Sequence, residues 1–447
     1  MSTRRSLRPL GGVLAAIAVS LTGTRISAVA LPWFVLVTTG SATQTGLVAF
    51  FEMAPYVVVK ALTGPLVDRA GPRIVSWTTD LVSATAAAAV PLLHALHLLS
   101  FPLLLALVAV IGAARGPGDL AKEVMVPEAA ERCGVPLERA TGLSGATERL
   151  ASTVGPAVGG SLVALLGPLT GLVANAGCFA LGSVIIALAL PRRMGEPTEG
   201  ASSQAGETKA GYWKRFGEGL TFLRTEPLLL IVIIIMVGIT NLLDAAFMTV
   251  LLPVWAKESG NGPTAIGLTG SAMGAAAVAG SLIAAVAAHR LRRRVVFFTG
   301  FLLAGAPRFL ILAVDAPLGA VLAVFAVSGF GAGFLNPVIG VVLLERVPRR
   351  MLGRVNALRD SLAWAGIPLG GLIAGAAVAS VGLVPVLLAC GATYFLTTNL
   401  AGLRPEWREM DRPGGRGVLK RHPEEEAPPR LPDRSTRGPG AGAGAAH

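Results

Sequence analysis

The stretch Gly64-Pro65-Leu66-Val67-Asp68-Arg69-Ala70-Gly71-Pro72-Arg73, "GPLVDRAGPR", packs an aspartate and two arginines into one tight turn. The chain around it is almost uncharged: residues 46–59 hold only Glu52, and residues 74–93 hold only Asp80. Charge confined to a turn between two apolar runs marks a loop joining two membrane helices. The rest of the chain agrees. It has 447 residues, 53% hydrophobic and only 14% charged, where a soluble chain carries about 25%. Apolar runs recur from Leu10 to Leu403. Strand-like alternation is absent, so helices rather than a barrel must satisfy the backbone in lipid.

Twelve spans are expected, near 10–38, 46–67, 74–96, 101–123, 140–166, 170–190, 228–255, 264–288, 295–314, 318–344, 355–381 and 385–403. Each is long enough to cross about 30 Å of hydrocarbon. Arg69, Arg73, Arg132, Arg139, the cluster from Arg192 to Arg215, Arg290 to Arg294 and Arg346 to Arg350 fall on one side, against Lys257 alone on the other. That side is therefore expected to be cytoplasmic, with both termini on it. The net charge of +12 is then loop charge; nucleic-acid binding would need a soluble basic domain, which the sequence lacks. Arg4, Arg5, Arg8 and Ala28-Val29-Ala30 mimic a signal peptide. Arg25 interrupts that run and apolar sequence continues past it, so the segment reads as a first membrane helix. Cys133, Cys178 and Cys390 lie far apart and form no CxxC, so no disulfide framework, metal or cofactor is expected.

The expected organisation is a first helical half (1–190), a linker (191–227), a second half (228–403) and a tail (404–447). The polar composition of 191–211 predicts disorder, with a short interfacial helix over 212–226; the tail reads as disordered from about 412. The halves superpose on each other by sequence. An offset of 221 takes Pro32 to Pro253, Gly46 to Gly267, Arg69 to Arg290 and Arg73 to Arg294. Beyond a six-residue difference in loop length, an offset of 215 takes Arg139 to Arg354, Gly155 to Gly370 and Gly160 to Gly375. A duplicated unit of six helices, with a substrate site between the halves near mid-membrane, follows from general transporter design.

Gly64, Asp68, Arg69, Gly71 and Arg73 fit G-x-x-x-D-R-x-G-x-R. This pattern resembles the loop signature of the major facilitator superfamily, over about residues 10–403. A further basic residue often found after Arg73 is here Ile74. Gly71 permits the tight turn, and Asp68 can face the positive end of a helix in the other half. The resemblance makes that helix span eleven, starting near Val355, and Arg73 can meet Glu123 at the end of span four. Such contacts would latch the cytoplasmic side; a loop that merely fixes topology is the alternative. Ala151, Gly155, Pro156, Gly159 and Gly160 resemble the G-x-x-x-G-P-x-x-G-G signature of proton-coupled drug antiporters, with Ala151 in place of the first glycine. Small residues here allow close helix approach, and Pro156 can kink the helix; ordinary tight packing is the alternative.

A charge at the bilayer centre costs about 2.5–3.5 kcal/mol or more, so each buried one needs a partner, water or a task. Arg25 and Asp244 fall at similar depth under the duplication. They are expected either to face a shared polar cavity, binding substrate or protons, or to pair separately within their halves. Arg115 and Asp119 share a helix face. Glu148 can carry a proton while pairing alternately with Arg115 and Arg149, or can form a static pair. Glu52 is a candidate for substrate cations or protons, with a wetted outer vestibule as the alternative. Arg308 is expected to pair with Asp315, and Asp80 to support the cytoplasmic turn.

The leading expectation is a lipid-embedded monomer that exports small, largely apolar compounds in exchange for protons. No nucleotide loop of the G-x-x-x-x-G-K-[ST] type appears, so ATP drive is not expected. An uptake carrier, or a siderophore or peptide exporter, is the nearest alternative. An enzyme would need a clustered nucleophile, base or metal set, and the five histidines are not grouped. A channel would not require the duplicated halves.

Overall fold

The computed structural model describes residues 6–191, 194, 228–287, 292–314, 316–346, 361–402 and 407, and among these all regular structure is helical. The first half comprises α1 (Arg8–Thr39), α2 (Ala42–Leu62), the short α3 (Gly64–Ala70), α4 (Pro72–Ala95), α5 (Phe101–Cys133), α6 (Leu137–Leu166) and α7 (Pro168–Ala189). In the second, α8 (Leu228–Ala246) runs through a π turn (Phe247–Leu251) into α9 (Leu252–Glu258). There follow α10 (Gly262–Ala287), α11 (Arg293–Ala304), α12 (Ala306–Ala313), α13 (Leu318–Arg346), α14 (Ile367–Val381) and α15 (Leu383–Gly402).

Among the described residues, ten helices are long and apolar enough to cross a membrane. Two further helices pack against these: α4, which carries several serines and threonines and Asp80, and the shorter apolar α15. Large apolar side chains point outward, with Leu165 82% and Leu188 72% exposed. Water would penalise that surface, whereas lipid accepts it.

Local sequence sets the breaks. Gly40 ends α1 at φ 69°, and Ser41 caps α2 by accepting from the Gln44 N–H. Gly71 joins α3 to α4 at φ 79°, the left-handed backbone that the charged turn requires. Two expected spans are interrupted. The ninth splits at Gly305, where any side chain would strike the Tyr394 ring and where Pro307 opens the next helix. The seventh carries its π turn just before Pro253, which lacks the N–H that continues an α ladder.

The halves meet along two seams, α2 with α14 and α6 with α10. Both are built from small residues that let backbones approach. A side chain at Gly46 would strike the Gly371 carbonyl; one at Gly267 would meet the Pro156 carbonyl at 2.6 Å. A side chain at Gly375 would meet the Ala42 carbonyl at 2.5 Å; one at Gly160 would meet that of Pro263 at 2.9 Å. These are the same contacts twice, because the sequence offsets carry Gly46 to Gly267, Pro156 to Gly371, Ala42 to Pro263 and Gly160 to Gly375. The duplication read from sequence is thus a pseudo-twofold relation between seams.

The linker over 195–227, the basic turn over 288–291, residues 347–360 and the tail beyond 407 lie outside the described residues. The interfacial helix, the disordered tail and the Asp68 contact near Val355 were expected there.

Candidate functional site

Two facing helices build the site. On α2, Glu52, Tyr56 and Lys60 recur every fourth residue, and on α5 so do Arg115, Asp119 and Glu123, so each set lines one face. They meet rung by rung. Arg115 pairs with Glu52 at 2.9 Å, the Tyr56 hydroxyl donates to Asp119 at 3.4 Å, and Lys60 pairs with Glu123 at 3.2 Å. Arg115 also lies 3.9 Å from Asp119. Close approach depends on glycine: a side chain at Gly112 would strike the Glu52 carbonyl, and one at Gly116 would meet that of Tyr56 at 2.9 Å.

The ladder borders a cavity of about 220 Å³ lined also by Arg25, Glu148 and, from the second half, Trp364. Tyr56 and Trp364 lie nearly parallel, with ring centroids 6.2 Å apart and planes 18° apart. The Lys60 ammonium sits 5.2 Å from the Trp364 centroid and 5.8 Å from that of Tyr56, while the Arg115 guanidinium lies 4.4 Å over Tyr56. Arg25 reaches the cavity because its stem occupies the space that a side chain at Gly155 would fill. Its Nε is buried without a hydrogen-bond partner, and no carboxylate among the described residues lies within ion-pair distance.

Behind this wall Lys122 pairs with Asp80 at 2.8 Å, with side chains 4% and 2% exposed, and Ser20 donates to the same carboxylate at 3.4 Å. Gly118 and Gly182 leave room for it.

The second half has its own cavity of about 170 Å³, lined by Thr240, Asn241, Asp244, Arg308 and Tyr394 among others. Asp244 pairs with Arg308. The guanidinium is almost fully buried and lies over three rings, at 4.9 Å from Phe247, 5.2 Å from Phe309 and 5.7 Å from Tyr394.

Several expected partnerships are corrected. Arg25 and Asp244 line different cavities, because each helix turns its charge into its own bundle. Glu148 pairs with neither Arg115 nor Arg149: Glu52 and Asp119 take Arg115, and Arg149 reaches across the seam to donate to Ser281 at 3.0 Å. Lys60, one rung along the ladder, takes Glu123, and Arg73 instead donates to the Ala187 carbonyl at 2.7 Å. Glu52 lies in the ladder. Arg308 finds Asp244, while Asp315 is outside the described residues. Asp80 serves Lys122 and Ser20 rather than the turn. In the second motif, Ala151 is buried, Gly155 and Gly159 face α1 at Arg25 and Ile26, and Pro156 and Gly160 face α10. Sequence reasoning missed Tyr56, Lys122 and Trp364. The fourfold spacing on α2 and α5 is the signal that points to Tyr56; Trp364 carries none.

Two helical halves packed on pseudo-equivalent seams, with a charged cavity in the first half whose wall the second half completes through Trp364, have the architecture of a membrane transporter. The family model "Major Facilitator Superfamily" matches residues 13–260 and 234–423, and the chain belongs to that superfamily. Among its relatives, "Multidrug efflux pump Tap" of Mycolicibacterium fortuitum is 32% identical over 406 residues, covering 90% of this chain and 97% of that protein. The protein of the same name from Mycobacterium tuberculosis (strain ATCC 25618 / H37Rv) is 33% identical over 407 residues, covering 89% and 94%. The crystal structure of nucleoside transporter NupG superposes with a TM-score of 0.67 at 15% identity, over 91% of this chain and 99% of that one; it speaks to the fold alone.

Proposed function

We propose that this chain exports small, largely apolar or amphipathic compounds from the cell by alternating access, in exchange for protons. The observation that carries the reading is the charged cavity with both halves in its wall, in a chain whose relatives are named multidrug efflux pumps over nearly their whole length. The halves rock on the two glycine seams. The cavity then opens to one side of the membrane and to the other in turn.

Glu148 is the proposed proton carrier. It lines the cavity without a closed ion pair among the described residues, as does Arg25. Ionised, it is drawn toward Arg25; protonated, it releases that arginine to the cavity. The chain is proposed to act as a monomer in the cell membrane with both termini cytoplasmic. Asp68 and the Gly64–Arg73 turn would latch that side.

An efflux screen in a pump-deficient host tests the reading. Expression should lower accumulation of amphipathic dyes, and a proton uncoupler should restore it. Export that persists unchanged with the uncoupler would exclude proton drive. In vesicles, Glu148→Gln should remove the dependence of dye transport on the pH gradient. Dependence retained in that variant would dismiss the carrier role.

A further inference from the structure

The paired rings of Tyr56 and Trp364 call for explanation. Trp364 comes from the opposite half, is 36% exposed, and lines the cavity. Its centroid separation from Tyr56 is at the wide end of the range for paired rings, about 4.5–7 Å. The cation nearest its face is the chain's own Lys60. An indole face carrying an ammonium is an established way of holding a cation. Lys60 has a second place to go, since Glu123 already lies 3.2 Å away and is 62% exposed.

The charge count of the cavity is an independent observation. With Arg115–Glu52, Lys122–Asp80 and Lys60–Glu123 closed, Arg25, Asp119 and Glu148 remain on the wall. With Glu52 and Asp80 counted as partners set behind the wall, and Asp119 sharing Arg115 at 3.9 Å, four cations meet five carboxylates, a surplus of one negative among the described residues. A single proton or a single monovalent cation neutralises it.

We propose that Trp364, with Tyr56 as its side wall, is the seat for a planar aromatic monocation, and that Lys60 is the internal occupant this ligand displaces. Binding sends Lys60 wholly to Glu123 and places the ligand's charge where the cavity lacks one. The seat is split between the halves, so it is complete only while α2 and the helical stretch bearing Trp364 are together. Rocking the halves apart separates the rings and releases the ligand. This deepens the export reading by naming its substrate class and rests on it.

The test is equilibrium binding to the purified full-length protein in lipid nanodiscs. Ethidium serves as the planar monocation and Nile red as an uncharged aromatic control. Trp364→Leu is expected to weaken ethidium about tenfold, equivalent to about 1.4 kcal/mol, the scale of one desolvated cation–π contact. Trp364→Phe should recover part of the loss, and Nile red should change less. Lys60→Met should tighten ethidium about threefold by removing the competitor, with Nile red unmoved. The exposed Glu123 tolerates losing its partner, so this variant tests the idea even if Trp364→Leu folds poorly. Unchanged or weaker ethidium binding in Lys60→Met would overturn the proposal, as would equal losses of both probes in Trp364→Leu. Binding is read without transport. The expected binding pattern in a protein that exports nothing would therefore sink the export reading and leave the seat standing. Wild-type ethidium export that both variants leave untouched would do the reverse.

Discussion

The two halves share one scaffold and differ in what they do with charge. In the first half, the ladder between α2 and α5 carries three polar rungs beside an open cavity. Under the offset of 221, Glu52, Tyr56 and Lys60 fall on Met273, Ala277 and Ser281, so the second half has no such ladder. Among the described residues its cavity holds one ion pair, Asp244–Arg308, wrapped in aromatic rings. The seams show the same split. Lys60 maps onto Ser281, and the offset of 215 maps Arg149 onto Trp364. The Lys60–Trp364 contact of one seam is therefore the Arg149–Ser281 contact of the other. Duplication supplied two equivalent seams, and divergence placed the polar ladder beside one of them.

The largest expected effect separates the sealed pairs. Asp80→Asn leaves the Lys122 ammonium buried without its counter-charge, which costs about 3–5 kcal/mol. Asp244→Asn leaves Arg308 over three rings that still attract a cation. Its own side chain is 40% exposed to the cavity. That variant should lose about half as much, of order 2 kcal/mol. Thermal unfolding in detergent measures both. Replacing Asp80 and Lys122 together with Leu and Met should recover most of the first loss. Equal losses from the two single variants would mean that the aromatic cage does nothing for Arg308.

The next effect tests what the halves share. Gly46→Val and Gly267→Val each push a side chain into a backbone carbonyl of the opposite half. Overpacking of this kind costs about 1–3 kcal/mol, enough to shift a two-state equilibrium about fivefold or more. Both should reduce dye export to a similar degree while the protein still reaches the membrane. A loss at one seam only would show that the hinges are not equivalent.

Much of this was legible before the structure. The charged stretch does separate two long helices, but Asp68 and Arg69 lie in the short helix α3 rather than in a turn, and the positive φ falls at Gly71 alone. The offsets of 221 and 215, read from scattered glycines and prolines, turned out to pair the seam contacts residue by residue. Most of the buried charges were also plain, Lys122 excepted. Their partners were not, because partner choice depends on how each helix is rotated about its axis. The sequence offered Arg73 to Glu123, and helix packing gives Glu123 to Lys60 instead. Arg25 and Asp244 share a depth under the duplication, yet they turn into different cavities. Trp364 was invisible for another reason: an aromatic residue in an apolar helix looks like any lipid-facing one until the opposite half is beside it.

The smallest expected effect carries the sharpest comparison. Arg149 and Ser281 hold a single hydrogen bond at 3.0 Å, and Arg149 faces away from its neighbour Glu148's cavity toward the seam. Losing such a bond costs about 0.5–1.5 kcal/mol, and Arg149→Ala should lower the unfolding temperature only slightly. It should also leave the ratio of ethidium to Nile red binding where it is, because the Arg149–Ser281 contact presents no aromatic face to a ligand. Lys60→Met, at the equivalent place on the other seam, should change that ratio while costing little stability. The two variants thus exchange signatures: a structural change without selectivity at one hinge, selectivity without structural change at the other. If Arg149→Ala moves the ratio as far as Lys60→Met does, the second hinge also shapes the site, and the division of labour between the halves fails.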